Sequence, residues 1–490
     1  MKKLLISALI AGLPGVAMAD AKGDEIAKLK AQLEALQAQM QQLQQAVNAA
    51  TAAKAPEADD ANAELKQRVA GMEMKVDKLA TDASEGPIAG LSITGYMDPT
   101  YVASRLGKSS GFQFVNHSNQ YAYTNSTFGD VYLDIKKTFG VGPLAPSAEI
   151  SILPNRGSGN TLLTSGGSSS AGNNIINTAV VTFPLSDTKQ LVAGLMNSFG
   201  GYEVQQSNQM NTITHGLLYD FSDPGSYVGA GFNWSHDVWA TKFMIANEQY
   251  HTNPNSASDA SSHTHSNSTP TVTGRVDYTM TSNLDIGGSM NVGRQSLYVH
   301  TNSTTGKADS TYGYQGSSNS AYGAYYFGEM DMTLTGTDSV YNAEIDYGRL
   351  KQGAWNGGDA VWWGFSMQAN QKWNTEMFGR MGATLRYDYL NDSKNGGGGG
   401  GIALGTSGVD GTNGFGISQA CFNNSSVNGT DCSGATRQAL TAALLFYPTD
   451  QLTLKMEYRH DWANRDVFLR SDGNYRKSND IFAAQAVYSF

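Results

Sequence analysis

Apolar and polar residues alternate along most of this chain, in segments long enough to cross a membrane as strands. In the segment 451–461, Leu454 and Met456 share one face of an extended strand, whereas Lys455 and Glu457 share the other. Most such segments run nine to fourteen residues, although strands in soluble sheets usually have about 5–6 residues. A tilted transmembrane strand needs about 9–11 residues. The pattern therefore predicts an all-β membrane protein with one strand face toward lipid and the other toward water.

Tight and long connections alternate between the predicted strands. The tight turns, rich in Gly, Pro, Asn, Asp and Ser, lie at 140–146, 185–188, 235–237, 281–283, 335–338, 373–374 and 448–450. The long loops lie at 105–125, 156–171, 199–226, 249–269, 297–320, 351–358, 391–434 and 462–477. Seven tight turns and eight long loops join sixteen strands, which predicts a 16-stranded antiparallel transmembrane β-barrel over 91–490. The count requires 199–226 to be a single loop, although Gly216–Phe221 has some strand character.

The amino terminus has the features of a secretory signal. Two lysines precede an apolar run from Leu4 to Val16, and residues 17–19 read Ala-Met-Ala, an A-x-A cleavage signature. The apolar run is too short to span a bilayer. Residues 1–19 are therefore predicted to be a signal peptide, and the mature chain to be exported.

An apolar repeat of about 3.5 residues follows the signal peptide and predicts a coiled coil ahead of the barrel. We expect a helix over 20–50, a hinge over 51–62, a second helix over 63–82 and a linker over 83–90. Such a seam is buried by self-association, and a homotrimer fits it, although a single amphipathic helix lying on the body of the protein is the alternative. The seam of the first helix consists of Ile26, Leu29, Leu33, Leu36, Met40, Leu43 and Val47.

Two cysteines, Cys421 and Cys432, lie close together in a polar, Gly-rich stretch. In an exported chain they are predicted to form a disulfide that braces the loop, with free thiols as the alternative. Their spacing matches no metal or redox motif, so they carry no catalytic implication.

Enzymatic signals are poor in this sequence. We recognise neither a nucleophile elbow nor an H-E-x-x-H zinc motif, so no catalytic residue and no cofactor are predicted. His251, His263, His265 and His300 lie in polar loops, where solvated side chains are the interpretation and metal binding is the alternative. The formal net charge of −10 at pH 7 disfavours nucleic acid as a partner.

Short motifs in the first half of the predicted barrel resemble a known class of proteins. The sequence reads ITGYMDP at 93–99, GLMNSFGGYE at 194–203 and HGLLYDF at 215–221, and the final strand, 478–490, ends on Phe490. These features resemble Gram-negative outer-membrane porins, in particular the β-barrel porin-2 (OmpL-like) group and related proteobacterial porins. The resemblance implies a passive, usually trimeric channel for small hydrophilic solutes and ions. Outer-membrane lipid would surround the channel, and the amino-terminal stalk would lie in the periplasm.

The resemblance also suggests where selectivity resides, because the third long loop of trimeric porins folds into the lumen and narrows it. Tyr202, Glu203, Asp220 and Asp223 would then present polar or acidic groups at the constriction. The inward-facing bases opposite them are Arg275, Arg380, Arg386, Arg437, Lys455 and Arg459. Acids facing bases across a narrow channel create a transverse field that selects polar solutes. The alternative is that inward Arg and Glu residues pair along the wall and only stiffen it.

Other functions stay open at this point. Trp362 faces inward by parity and is the best candidate for a sugar-binding aromatic track. A substrate-specific uptake barrel, for a siderophore or an oligosaccharide, is a rival, although no sizeable globular plug precedes Leu91. A closed surface barrel that binds a partner through its long loops, as an adhesin does, is a second rival. Pore conductance distinguishes this last possibility from the channels.

Overall fold

The computed structural model describes residues 89–114, 128–153, 176–251, 253–258, 263–297, 321–353, 359–394, 409–410, 414–416 and 433–490. The predicted signal peptide, both coiled-coil helices, the hinge and nearly all of the linker lie outside these residues. The cysteines at 421 and 432 lie outside them as well. These features therefore stay predictions.

The described residues form β-strands almost throughout. The strands are β1 (Leu91–Met97), β2 (Thr100–Ser104), β3 (Ser109–Gln113), β4 (Val131–Thr138), β5 (Ser147–Ile152), β6 (Ile176–Ser186), β7 (Lys189–Asn197), β8 (Ser226–His236), β9 (Trp239–Ala246), β10 (Ser256–Ser258), β11 (Thr264–Ser266), β12 (Thr271–Thr281), β13 (Leu284–Ser296), β14 (Tyr322–Thr335), β15 (Ser339–Leu350), β16 (Ala360–Thr375), β17 (Gly379–Lys394), β18 (Val409–Asp410), β19 (Phe415–Gly416), β20 (Thr436–Tyr447), β21 (Leu452–Ala463), β22 (Phe468–Leu469), β23 (Tyr475–Arg476) and β24 (Ser478–Ser489). One 3₁₀ helix (Ser207–Gln209) and one short α-helix, α1 (Leu217–Phe221), lie between β7 and β8. Among the described residues, no helix has the length and apolar character needed to cross a membrane.

Eighteen of these segments pair in one continuous antiparallel sheet. β1 and β2 both pair with β24 in one register, from Met97 opposite Tyr488 to Ser104 opposite Ile481, so they are two halves of one strand. β3 pairs with β2 and β4 pairs with β1, so these two segments form the next strand. The sheet therefore closes on itself as a barrel of sixteen antiparallel strands, as the turn count predicts.

Some loops differ in detail from the prediction. The stretch 105–125 was expected to be one long loop, but it contains β3, which pairs with β2 after a four-residue turn. Other loop regions carry short hairpins of their own, which are β10–β11, β18–β19 and β22–β23. The stretch 199–226 is a single loop, as the strand count requires.

The two faces of the barrel wall have opposite character. On β21, the outward-facing Leu454 and Met456 are 39% and 41% exposed, whereas Lys455 and Glu457 are 2% exposed and point inward. β24 repeats the pattern, with Phe482, Tyr488 and Phe490 on the outside and Ala483, Gln485 and Val487 buried. The barrel therefore presents an apolar surface outside and a polar, charged interior, the reverse of a soluble sheet protein.

The segment Gly216–Phe221 forms α1 and is not a strand. Leu217, Leu218 and Phe221 are buried, and they lie at helical spacing on one side of α1. They pack inside the barrel in a cluster that also contains Trp362 and Leu390 of the wall. Burial of each such side chain contributes about 1.5–3 kcal/mol, so packing against the wall outweighs the local strand propensity of this segment.

Candidate functional site

The loop between β7 and β8, residues 198–225, lies inside the barrel and is hydrogen-bonded to the inner wall. The backbone N–H of Tyr202 donates to Glu344 Oε2 on β15 at 3.1 Å, and its hydroxyl lies 2.9 Å from Ser366 Oγ on β16. Farther along the loop, the N–H of Ser207 donates to the Tyr96 hydroxyl on β1 at 3.2 Å. The loop is therefore fixed to several strands of the barrel wall.

Lys455 of β21 holds the first part of this loop. Its Nζ donates to the carbonyl oxygens of Ser207, Met210 and Thr212 at 2.7, 2.8 and 3.0 Å. An ammonium group has three N–H donors, so these bonds use its whole capacity. The Lys455 charge thus serves to bind loop backbone.

The next two inward residues of β21 hold the middle of the loop. The Glu457 carboxylate accepts the backbone N–H groups of Ile213 and Thr214, and the Thr214 hydroxyl donates to its Oε1 at 2.6 Å. Arg459 Nη1 donates to the carbonyl oxygen of His215 at 2.6 Å and to Thr214 Oγ1 at 3.1 Å. Together with Lys455, these residues form a Lys–Glu–Arg clamp at alternate positions of one strand, which we call the β21 clamp.

Arg386 of β17 binds the same part of the loop. Its Nη1 lies 2.8 Å from Glu203 Oε1 and donates to the Thr214 carbonyl oxygen at 2.8 Å, while its Nε lies 3.0 Å from Asp388 Oδ2. Glu203 Oε2 in turn accepts the N–H of Gly216 at 2.6 Å. Burial raises the pKa of Glu203, and the Arg386 guanidinium opposes that rise by stabilising the carboxylate. The buried ion pair therefore joins the loop to the wall.

Arg437 of β20 binds the end of α1 through aromatic rings. Its guanidinium lies 5.1 Å from the ring centroid of Phe221 and 5.2 Å from those of Phe415 and Phe468. Its Nη2 lies 2.9 Å from Asp461 Oδ1, and both side chains are fully buried. Cation–π contacts of a desolvated guanidinium contribute about 2 kcal/mol or more, so Arg437 stabilises the packing of α1.

A separate set of contacts surrounds Arg275 of β12, near the start of the loop. Its Nη1 lies 2.6 Å from Asp331 Oδ2 and 3.4 Å from Glu329 Oε2 on β14, and its Nε lies 2.7 Å from Asp277. Nη1 also donates to the Phe199 carbonyl oxygen at 3.1 Å. Arg275 therefore links the wall to the loop within a strongly acidic environment.

The end of the loop completes that acidic environment. Asp223 lies near Glu344 and Asp346 of β15, and one carboxylate oxygen from each can be chosen so that all three lie within 4.8 Å of one another. All three side chains are buried. Burial raises the pKa of Asp223 well above its ordinary value, and the neighbouring carboxylates, Asp346 foremost, raise it further. We call these three residues the acidic triad.

The two remaining predicted constriction residues are Asp220 and Arg380. Asp220 is buried on α1. Arg380 lies at the start of β17, beside the tight turn, where its Nη2 is 3.1 Å from Asp338 Oδ1 and about half of each side chain is exposed. Arg380 therefore does not join the charged groups that hold the loop.

The acids and bases inside the barrel do not face one another across open space, as a transverse field would require. Glu203 and Arg386 are in direct contact, and Lys455 and Arg459 donate to loop carbonyl oxygens. Charges also pair along the wall, as the alternative interpretation expects, because Arg386 pairs with Asp388 and both Arg437 and Arg459 pair with Asp461. Arg386, Lys455 and Arg459 in addition bind the loop and anchor it.

The acidic residues of β14 and β15 were not among the predicted site residues. Glu329 pairs in register with Asp346, and Asp331 with Glu344. The signal was present, since acidic residues at alternate positions on two successive strands share one face. No metal site was predicted, yet within the described part of the chain Glu344 and Asp346, together with Asp223 of the loop, form a group that could hold a cation.

Neither Trp362 nor a G-x-S-x-G spacing in the chain forms a functional site. Trp362 is fully buried in the cluster that contains α1, so packing accounts for its inward position. The spacing G-x-S-x-G does occur, at 107–111, but it lies in the β2–β3 hairpin. A nucleophile elbow requires a strand-to-helix turn, so this stretch gives no catalytic site.

The sequence matches a family described as "Protein of unknown function (DUF3138)" over residues 1–58 and 52–490. The chain belongs to the DUF3138 family. The resemblance to the OmpL-like group is a finer statement than this match supports, and it stays a prediction. No curated protein matches the sequence.

Several solved structures are similar to this DUF3138 chain. In vitro folded OmpT, an outer-membrane protein of Vibrio cholerae, is 8% identical with a TM-score of 0.46, and the alignment covers 82% of this chain and 97% of that chain. OmpF of Salmonella typhi in complex with daunomycin is 10% identical, with a TM-score of 0.43 and the same coverage of both chains. OprD of Pseudomonas aeruginosa is 9% identical, with a TM-score of 0.37 and coverage of 82% and 95%. The barrel architecture of the DUF3138 chain rests on its own strand pairing.

Proposed function

We propose that this protein is an outer-membrane porin that lets small hydrophilic solutes diffuse passively through a water-filled channel. The observation that carries the proposal is the inversion of the barrel. Met456 and Phe482 belong to an apolar outer surface, whereas Lys455, Glu457 and Arg459 lie inside. A closed barrel leaves no unpaired strand edge, and an apolar exterior suits the hydrocarbon of a bilayer.

The loop 198–225 would form the constriction of this channel. Its contacts with β15, β16, β17 and β21 involve buried charged groups, which resist displacement because an unpaired buried charge is costly. A fixed constriction sets an upper limit on solute size. The proposed channel is therefore a filter for small polar solutes and not a carrier that changes shape with each transport event.

The proposed assembly is a homotrimer with its amino-terminal stalk in the periplasm. The supporting feature is the heptad seam between Ile26 and Val47, because helices with such a seam associate with one another. Removal of residues 20–88 from the mature chain should then weaken the trimer without preventing barrel folding.

Single-channel conductance of the purified full-length mature protein in a planar bilayer tests the proposal. We expect current steps in groups of three, and a change in ion selectivity in Glu203→Gln and Arg386→Gln. Arg380→Gln is the matched control, because this arginine lies at a tight turn and pairs with Asp338. Absence of conductance from well-folded protein would refute a porin and favour a closed barrel. Saturable block by one solute would favour a substrate-specific channel.

A further inference from the structure

We infer that the acidic triad, Asp223, Glu344 and Asp346, binds a divalent cation that prefers oxygen ligands, such as Ca²⁺. Asp223 belongs to the loop, whereas Glu344 and Asp346 belong to β15. A cation held by all three would tie the end of the loop to the barrel wall. This site is independent of whether the barrel conducts solutes.

The spacing of the carboxylates fits such an ion. One oxygen from each residue lies within 4.8 Å of the other two. Ca²⁺ binds oxygen at about 2.3–2.6 Å, so two ligands on opposite sides of one ion lie at most about 5 Å apart. Three oxygens spaced 4.8 Å apart lie about 2.8 Å from a common centre, so at most a small rotation of the carboxylates brings all three within coordination distance of one ion.

The triad has no basic partner among the described residues. Arg275, a base of the same acidic region, is paired with Asp331 and Asp277. Asp223, Glu344 and Asp346 form no ion pair with a Lys, Arg or His of the described chain. Buried carboxylates are costly unless a positive charge compensates them, and a bound cation would supply that charge.

Most oxygen atoms of the triad also lack a well-formed hydrogen bond. Both carboxylate oxygens of Asp223, both of Asp346 and Oε1 of Glu344 are shielded from solvent and make no hydrogen bond of good geometry, although the Ser222 hydroxyl and the neighbouring carboxyl groups lie within reach of Asp346. Only Glu344 Oε2 accepts a bond, from the N–H of Tyr202 at 3.1 Å. Buried polar atoms in native proteins are nearly always satisfied, so five oxygens without a well-formed hydrogen bond indicate a ligand at this place.

Two buried hydroxyl groups close to the triad are also available as ligands. Tyr325 is 2% exposed and Ser222 is fully buried, and neither hydroxyl makes a hydrogen bond of good geometry. Ser222 lies beside Asp346, and Tyr325 lies within electrostatic range of Asp223 and Asp346. Such groups can complete a coordination shell directly or through water, because Ca²⁺ takes six to eight oxygen ligands.

Gly201 keeps the space beside the triad open. A Cβ atom at this position would lie 2.8 Å from Asp223 Oδ2 and 3.0 Å from Glu344 Oε2. Its φ of +74° also favours glycine over other residues. Any side chain at 201 would therefore press against two of the proposed ligands.

Calorimetric titration of Ca²⁺ into the chelator-treated, folded full-length mature protein tests the inference, with Tb³⁺ luminescence as a second probe. We expect one tight site per chain, and at least a tenfold loss of affinity in Asp346→Asn and in Glu344→Gln. Glu344→Gln retains an oxygen for the Tyr202 N–H, so its fold should be preserved. The control is Asp338→Asn, an exposed acid at a tight turn, which should leave Ca²⁺ affinity unchanged.

The thermal melting temperature of the folded barrel gives an independent measurement. Ca²⁺ should raise it in the wild-type protein and in Asp338→Asn, and should have little effect in Glu344→Gln, because ligand binding stabilises only the state that holds the site. Absence of a saturable Ca²⁺ site in folded wild-type protein would overturn the inference. The negative charge of the triad would then be neutralised by protons shared among its carboxylates. Equal Ca²⁺ affinity in the wild type and both triad variants would overturn it as well.

Discussion

The Thr214 hydroxyl donates a 2.6 Å hydrogen bond to Oε1 of Glu457, although the two residues are 243 positions apart in the sequence. The same carboxylate accepts two backbone N–H groups of the loop. Hydrogen bonds to a charged group contribute about 1.5–3 kcal/mol, more than neutral ones do. Glu457 is therefore one of the wall residues that fix the position of the loop.

Substitution Glu457→Gln should loosen the loop. The amide N–H₂ group of glutamine would face backbone N–H donors, so at least one bond would be lost without replacement. We expect stability to fall by about 1.5–3 kcal/mol and hydrogen exchange over 207–216 to become faster. Exchange measured by mass spectrometry in detergent tests this, with Glu376→Gln, exposed in a tight turn, as the control. Unchanged exchange in Glu457→Gln would show that the neighbouring bases suffice.

The Glu203–Arg386 pair should show strong coupling in a double-mutant cycle. Arg386→Gln leaves two buried carboxylates, Glu203 and Asp388, without their cation, and breaking such a pair costs about 3–5 kcal/mol. Removal of both charges in Glu203→Gln/Arg386→Gln should recover part of that loss, with a coupling energy of about 1–3 kcal/mol. Urea unfolding of all four proteins measures the cycle. Additive effects would mean that the loop is held without this ion pair.

The barrel was predictable because its signals are local. Alternation along each strand and the residues of each tight turn depend on near neighbours in the sequence, and together they determined the strand count. The inward direction of Lys455 and Arg459 followed from parity for the same reason. Their partners could not be predicted, because Ser207 and His215 approach β21 only after the barrel has closed.

The acidic triad was half predictable. The tight turn between β14 and β15 fixes a register in which Glu329 faces Asp346, so the inward acids of this hairpin could have been found from sequence. Asp223 could not be placed beside them, because its position depends on α1. This segment was expected to have strand character, but it forms α1, in which Leu217 packs against the wall.

Acidification should weaken the attachment of the loop through His215. The His215 ring is fully buried, its Nε2 lies 2.9 Å from the Val204 carbonyl oxygen, and its Nδ1 has no partner. Burial, together with the charges of Arg386, Lys455 and Arg459, lowers the pKa of His215 to about 3. The folded state therefore holds this ring neutral.

The stability of the folded protein should fall on acidification because the pKa of His215 is lower in the folded chain than in the unfolded chain. In the unfolded chain His215 takes up a proton near pH 6.5, whereas in the folded chain it does so only near pH 3. Its contribution to stability is complete above about pH 6.5 and is lost progressively as the pH falls toward 3. His215→Gln, which retains an N–H donor but has no titratable group, should lose less stability than the wild type between pH 7 and pH 4. Equal losses in urea titrations at the two pH values would contradict this assignment.

The apolar exterior can be tested with two methionines of a single hairpin. Met367 lies at the centre of β16 and is 56% exposed, whereas Met377 lies in the following tight turn and is 81% exposed. If bilayer surrounds the barrel, Met367→Lys should destabilise the folded state in lipid vesicles by about 2–4 kcal/mol, and Met377→Lys by about 0–1 kcal/mol. Water around the barrel would make both substitutions nearly neutral, because both side chains are already exposed. Urea unfolding in vesicles therefore separates a membrane barrel from a soluble one without any assumption about the channel.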